Sequence, residues 1–222
     1  MEPSVLALAI FDLDNTLIAG DSDHAWGQFL VSKNIVDSDW YQQENNRFLE
    51  DYQTGNLDIK AYLKFALKPL ADNTISDLLE WRQEFLNSVI QPLFLTKAFD
   101  LIEAHRKKGD FLLIVTATNR FVTELIATAL GVNDLIATEP EQDHTGFTGK
   151  VSGIPSFKEG KITRLNQWLT NKKYSLDGSF FYSDSHNDLP LLERVDNPVA
   201  VDPDDILRAH CLNLKWPIIS LR

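Results

Sequence analysis

Short apolar runs that stop abruptly at polar residues recur along the chain. Residues 5–11 are apolar throughout and end at Asp12, residues 111–115 end at Thr116, residues 179–183 end at Asp184, and residues 198–201 run into Asp202. Runs of this length without polar alternation are expected of parallel strands buried on both faces. Between them lie helical patterns. Residues 98–108 are closed by basic side chains and Gly109, residues 120–130 by Gly131, and in residues 162–169 Ile162, Leu165, Trp168 and Leu169 share one face. Strands alternating with helices predict an α/β fold with a parallel sheet, whose ligands bind beyond the carboxyl ends of the strands.

The stretch from 19 to 92 breaks that rhythm. It shows helical patterns at 23–33, 39–52, 58–67 and 75–90 and no convincing strand. The expected organisation is therefore a catalytic core of residues 1–18 and 93–222 with a helical cap, residues 19–92, inserted after the first strand. So placed, the cap can sit over the strand ends as a lid. Gly146, Gly149 and Gly153 punctuate residues 139–155 and predict a hairpin or loop.

The chain has 222 residues, 44% of them hydrophobic, which is enough for a packed core. Its formal charge of −11 repels phosphate backbones and anionic membranes, so neither nucleic acid nor membrane is an expected partner. Cys211 is the single cysteine, which excludes an intrachain disulfide and any multi-cysteine metal site. With no basic segment before the apolar run at 5–11, and that run far short of a membrane span, the expected compartment is the cytoplasm.

Chemistry concentrates at two strand ends. Asp12 and Asp14 stand two apart in Asp12-Leu13-Asp14-Asn15-Thr16, and a second acidic set, with Asp184 and Asp188, follows another apolar run. A lone pair of aspartates is commonly a turn or helix cap. A calcium loop would need a glycine where Leu17 stands. Two acidic strand ends brought to one edge repel unless a hard cation such as Mg2+ neutralises them.

With Thr116 after the 111–115 run and Lys161 after Lys158-Glu159-Gly160, the order of motifs resembles the haloacid dehalogenase superfamily of phosphohydrolases over the whole chain. The resemblance implies a Rossmann-like parallel sheet with an inserted helical cap. Its small-cap subclass includes phosphoserine phosphatases and related bacterial phosphatases with histidinol-phosphate activity. The stretches Asp21-Ser22-Asp23-His24-Ala25-Trp26 and Tyr52-Gln53-Thr54-Gly55-Asn56-Leu57-Asp58 look more like that related group. Phosphoserine phosphatases proper carry a serine and paired glycines where this chain has Thr116-Ala117-Thr118-Asn119.

By the same resemblance, Asp12 is the nucleophile that becomes an aspartyl phosphate, and Asp14 protonates the leaving group and then takes a proton from water. Mg2+ is held by the Asp12 and Asp184 carboxylates and the Asp14 backbone carbonyl, with Asp188 behind them. Thr116 and Lys161 bind the phosphoryl group beside the main-chain amides of Ala117 and Thr118, and Lys158 is a rival to Lys161. The implied activity is hydrolysis of a small phosphate ester, L-histidinol phosphate or phosphoserine; a phosphotransferase or mutase of the same fold is the alternative. A phosphate-accepting signalling domain would place its phosphorylated Asp after a later strand and lack the lid.

Substrate selection is expected from the lid. Asp21, Asp23 and His24 follow the nucleophile strand closely enough to face the entrance, and their acidity suits an ammonium or imidazolium. A helix cap by Asp21 or Ser22 with an acidic first turn explains the same residues. Trp26, Phe29, Trp81 and Phe85 read as lid core, and Asn119 and Arg120 as the start of a helix.

Overall fold

The computed structural model describes residues 7–222. The expected first strand is β1, Leu8–Phe11, and positions 5 and 6 of that expectation lie outside the described residues. The chain then leaves the sheet for the inserted helices α1 (Ser22–Ser32), α2 (Ser38–Gln53), α3 (Ile59–Ala66), α4 (Lys68–Asp72) and α5 (Ile75–Phe85). The single helix expected over 75–90 is α5 followed by a π-helical turn, Leu86–Ile90, and a 3-10 turn, Gln91–Leu93. Pro92 removes an amide donor there, so a regular helix cannot continue.

The core resumes with α6 (Thr96–Lys108), β2 (Phe111–Asn119), α7 (Arg120–Leu130) and β3 (Asp134–Thr138). The glycine-punctuated stretch forms the antiparallel hairpin β4 (Pro140–Asp143) and β5 (Gly146–Val151). There follow α8 (Glu159–Lys172), β6 (Phe180–Ser183), the short α9 (Leu189–Leu192), β7 (Asn197–Val201), α10 (Asp205–Leu214) and β8 (Ile218–Ile219).

Six strands form one parallel sheet in the order β3-β2-β1-β6-β7-β8. Ala9 and Phe11, with Leu112, Ile114 and Tyr182, face the core layer shared with the inserted helices. Leu8 and Ile10, with Leu113, Val115 and Phe181, face the opposite layer under α8, α9 and α10. Both sets are buried, so the strict period of two places apolar side chains on both faces and the strands read as continuous runs. The chain winds outward to β2 and β3 and then outward the other way from β6. The crevice between β1 and β6 is thus the switch point at which sheets of this class bind ligands.

The insertion leaves and rejoins the core through one narrow neck, where Ile18 and Phe94 form an isolated antiparallel bridge and Ala19 N–H donates to Leu93 O at 2.8 Å. Its own core is aromatic. Trp26, Phe29 and Phe85 are buried and in mutual contact, Trp26 stacked on Phe29 and edge-on to Phe85, and Trp26 also meets Phe121 of α7 edge-on.

Candidate active site

Asp12 sits one residue past β1, its amide donating to Tyr182 O of β6 at 2.9 Å, so the two strand ends are bonded together at the switch point. Its carboxylate accepts from Lys161 Nζ at 2.7 Å, and the same ammonium lies 2.7 Å from Asp188. All three groups are buried. Burial pushes the Asp12 carboxyl up to about 7 even though Lys161 pulls it down, with Asp188 and Asp14 adding to the rise. Burial also opposes the Lys161 charge, but Asp12 and Asp188 outweigh it and hold its pKa above the ordinary value. Ser183 Oγ donates to Asp188 at 2.7 Å, fixing the carboxylate from behind.

Lys161 reaches this position because α8 begins unusually tightly. Lys158 has a left-handed backbone (φ 48°), and a Cβ on Gly160 would lie 2.0 Å from Pro155 O, so only glycine fits there. The rival Lys158 is directed away from the carboxylates: its Nζ donates to Gly55 O at the end of α2, at 2.9 Å.

Asp14 faces the other way, accepting from Ser22 N–H at 2.6 Å and Thr118 Oγ1 at 2.8 Å, with Thr116 Oγ1 at 3.4 Å. The register of β2 against β3 shifts between Val115 and Asn119, an irregularity that turns Thr116 and Thr118 onto the same carboxylate oxygen. The Thr118 amide donates to Thr116 Oγ1 at 3.2 Å, and the Thr118 hydroxyl carries the contact to Asp14. Ala117 lines the cleft while its carbonyl accepts from Thr138.

Asp184 accepts from Thr16 Oγ1 at 3.1 Å, and the same hydroxyl lies 3.5 Å from Asp12. Burial, then the charges of Asp12 and Asp188, push the Asp184 carboxyl well above the usual carboxylate range. Among the described residues no three His, Cys, Asp or Glu side chains converge closely enough to hold a metal by themselves. A cation here would need main-chain, substrate or water oxygens as well, a coordination that suits Mg2+.

A cleft opens above these groups between core and insertion, lined by Asp12, Asp14, Thr116 and Asp184 below and by Asp21, Asp23, His24 and Tyr62 above. Asp21 caps α1, its Oδ1 accepting from the amides of Asp23 and His24 at 2.9 and 2.8 Å, so capping and facing the entrance coexist in one residue. Burial, then the Asp14 charge, raises Asp21 to about 6. Burial raises Asp23 to about 8 although the neighbouring Tyr62 hydroxyl pulls it down. His24 Nε2 pairs with Asn46 Oδ1 at 2.9 Å on the exposed side.

Three contributors carry no signal of their own in the sequence. Thr16 links the two acidic strand ends across 168 positions, Ser183 supports Asp188, and the main-chain oxygen of Tyr52 on α2 accepts from Asn187 Nδ2 at 3.1 Å. Asn119 caps α7 through Val122 N–H, as expected of a helix start, and also approaches Asp23 at 3.4 Å.

The sequence profile of haloacid dehalogenase-like hydrolases matches residues 9–193. A histidinol-phosphatase from Neisseria meningitidis is 44% identical over 97% of this chain and 99% of its own. A crystal structure of a protein of unknown function from Bordetella pertussis superposes with a TM-score of 0.93 at 41% identity, covering 99% of this chain and all of that one. A substrate-bound phosphoserine phosphatase superposes with a TM-score of 0.72 at 16% identity, over 99% of this chain and 95% of that one, a likeness of fold. With motifs, sheet order and relatives in agreement, the chain belongs to the haloacid dehalogenase-like hydrolase family, as one of its phosphatases.

Proposed function

We propose that the protein is a Mg2+-dependent phosphomonoesterase that hydrolyses a small amine-bearing phosphate ester, L-histidinol phosphate foremost, through an aspartyl phosphate on Asp12. The observation that carries this reading is the pairing at the cleft floor. One carboxylate, Asp12, is fixed by Lys161 at the end of β1, and a second, Asp14, is held two residues on by an amide and a hydroxyl. Hydrolysis of an alkyl phosphate needs these two roles, a nucleophile in line with the leaving oxygen and an acid to protonate it.

In this mechanism an Asp12 oxygen attacks phosphorus as the bond to the leaving oxygen breaks, and Asp14 gives its proton to that oxygen. Asp14 then takes a proton from water, whose oxygen attacks the phosphorus and releases Asp12. Thr116 and Lys161 steady the phosphoryl oxygens. Asp12 and Asp188 share the single ammonium of Lys161 while Asp184 adds its charge to theirs, an excess of negative charge on hard oxygen donors that fits a divalent cation. The Asp12 and Asp184 carboxylates and the Asp14 main-chain oxygen would hold Mg2+, which when bound offsets charge on the transferring group.

Histidinol phosphate is favoured over phosphoserine because the relative bearing the former name is matched over almost its whole length. The test is release of inorganic phosphate from histidinol phosphate, phosphoserine and glycerol phosphate by purified enzyme. We expect turnover with Mg2+, none in chelator, and the highest kcat/KM for histidinol phosphate. Asp12→Asn should lose at least about 10³-fold in kcat, because an amide is a poor nucleophile. Full activity in chelator or in Asp12→Asn would overturn the mechanism.

A further inference from the structure

The two acidic residues at the head of the cleft differ in what they have left to bind. The Asp21 carboxylate is tied to its own helix by two amides. The Asp23 carboxyl lies near the Tyr62 hydroxyl of α3, which favours its charged form, and has a long 3.4 Å contact from Asn119 Nδ2, at the end of β2. No Lys, Arg or His forms an ion pair with it among the described residues. The nearby titratable groups are Asp14 in the loop after β1, Asp21 before α1, His24 beside it on α1, Tyr41 on α2 and Tyr62 on α3. Only His24 can bring positive charge, and its ring pairs with Asn46 on the exposed side rather than with Asp23. A carboxyl group set in protein with only neutral donors is costly to ionise, and a cation or a strong donor arriving with the ligand offsets that cost.

We propose that Asp23, oriented by Tyr62 and Asn119, is the residue that recognises a second nitrogen group on the leaving alcohol, an N–H of an imidazole, separately from whatever holds the ammonium. This rests on the phosphomonoesterase reading above and deepens it. The site supplies three parts for such a ring. Asp23 accepts its N–H, Tyr62 and Asn119 limit the directions from which it can be approached, and the apolar side chains of Phe48, Leu57 and Ile59 line the same cleft and suit the ring faces. An ester bearing an ammonium and no ring would leave Asp23 without a partner. A hydrogen bond to a charged group contributes enough to discriminate by roughly 10–100-fold. Tyr62 acts through Asp23 and is a positioning residue.

The experiment measures kcat and KM for L-histidinol phosphate and for phosphoethanolamine, which carries an ammonium and no ring, in wild type, Asp23→Asn and Tyr62→Phe, all with Mg2+. Wild type should prefer the imidazole ester. In Asp23→Asn the loss of kcat/KM should be at least about tenfold greater for the imidazole ester than for phosphoethanolamine. In Tyr62→Phe the KM for the imidazole ester should rise about 2–10-fold with kcat nearly kept, a split that general loosening of the cap would not give. Both variants are near-isosteric, and neither alters the Asp21 cap, so thermal unfolding can verify that they fold. If wild type prefers the imidazole ester and both variants keep that preference, this inference fails and the substrate reading stands. If wild type hydrolyses phosphoethanolamine as well as histidinol phosphate, the inference and the proposed substrate fall together.

Discussion

Lys161 serves two carboxylates at once from a buried position, and each partner depends on it. Lys161→Met would leave Asp12 and Asp188 facing each other without a cation, a loss that typically costs roughly 3–5 kcal/mol. Thermal unfolding of metal-free enzyme should therefore show a marked fall in Tm, and turnover should drop with it. Lys158→Ala removes a single partly buried contact to Gly55 O, so it should cost about 1 kcal/mol and less than about tenfold in kcat. A larger loss of kcat in Lys158→Ala than in Lys161→Met would exchange their roles. At this scale the sequence was informative wherever a residue stood at the end of an apolar run. Asp12, Thr116 and Asp184 were identifiable because strand ends announce themselves. Thr16, Ser183 and Tyr52 were not, since a polar contact that forms only once the chain is folded leaves no local pattern.

Elements that lie wholly in the core layers were readable, and those at the margins were not. β1, β2, β6 and β7 are apolar enough to stand out, whereas β3 carries Asp134 and Thr138, and edge strand β8 is two residues long. Helix α10 is equally hard to read: Leu207 and Cys211 are its buried residues, too few to mark a face unambiguously. The start of α8 shows how an element is placed rather than merely formed. Gly160 packs so closely under Pro155 that any side chain must push the helix away, moving Lys161 with it. Gly160→Ala should therefore destabilise by about 3 kcal/mol or more, at the top of the usual range for overpacking, and lower kcat in whatever fraction still folds. An unchanged Tm would show that the turn from 155 to 160 yields more easily than its geometry implies.

The molecule as a whole accepts a cost in stability at its cleft, and pH should reveal it. Asp23 has an ordinary value of 3.8 and rises to about 8 when folded; Asp21 moves the same way, to about 6. Between those values the folded state holds the more protons, so these groups make stability fall as pH rises, levelling above about 8. Asp23→Asn abolishes its share. The variant should match wild type near pH 4 and exceed it at pH 9 by about 1–3 kcal/mol, the scale of burying a poorly compensated polar group. Chemical denaturation at the two pH values measures the difference, and equal stability at pH 9 would show that Asp23 is better solvated than its surroundings suggest. In the neck, Ile18 and Phe94 meet across a single bridge. Everything that roofs the cleft hangs between two points that touch, and no strand of the large sheet comes from that interval. A short turn could join those points and leave the sheet order intact. The roof is in that sense a cassette: its sequence can drift, or be exchanged for another, and change what is admitted while the machinery beneath is inherited untouched.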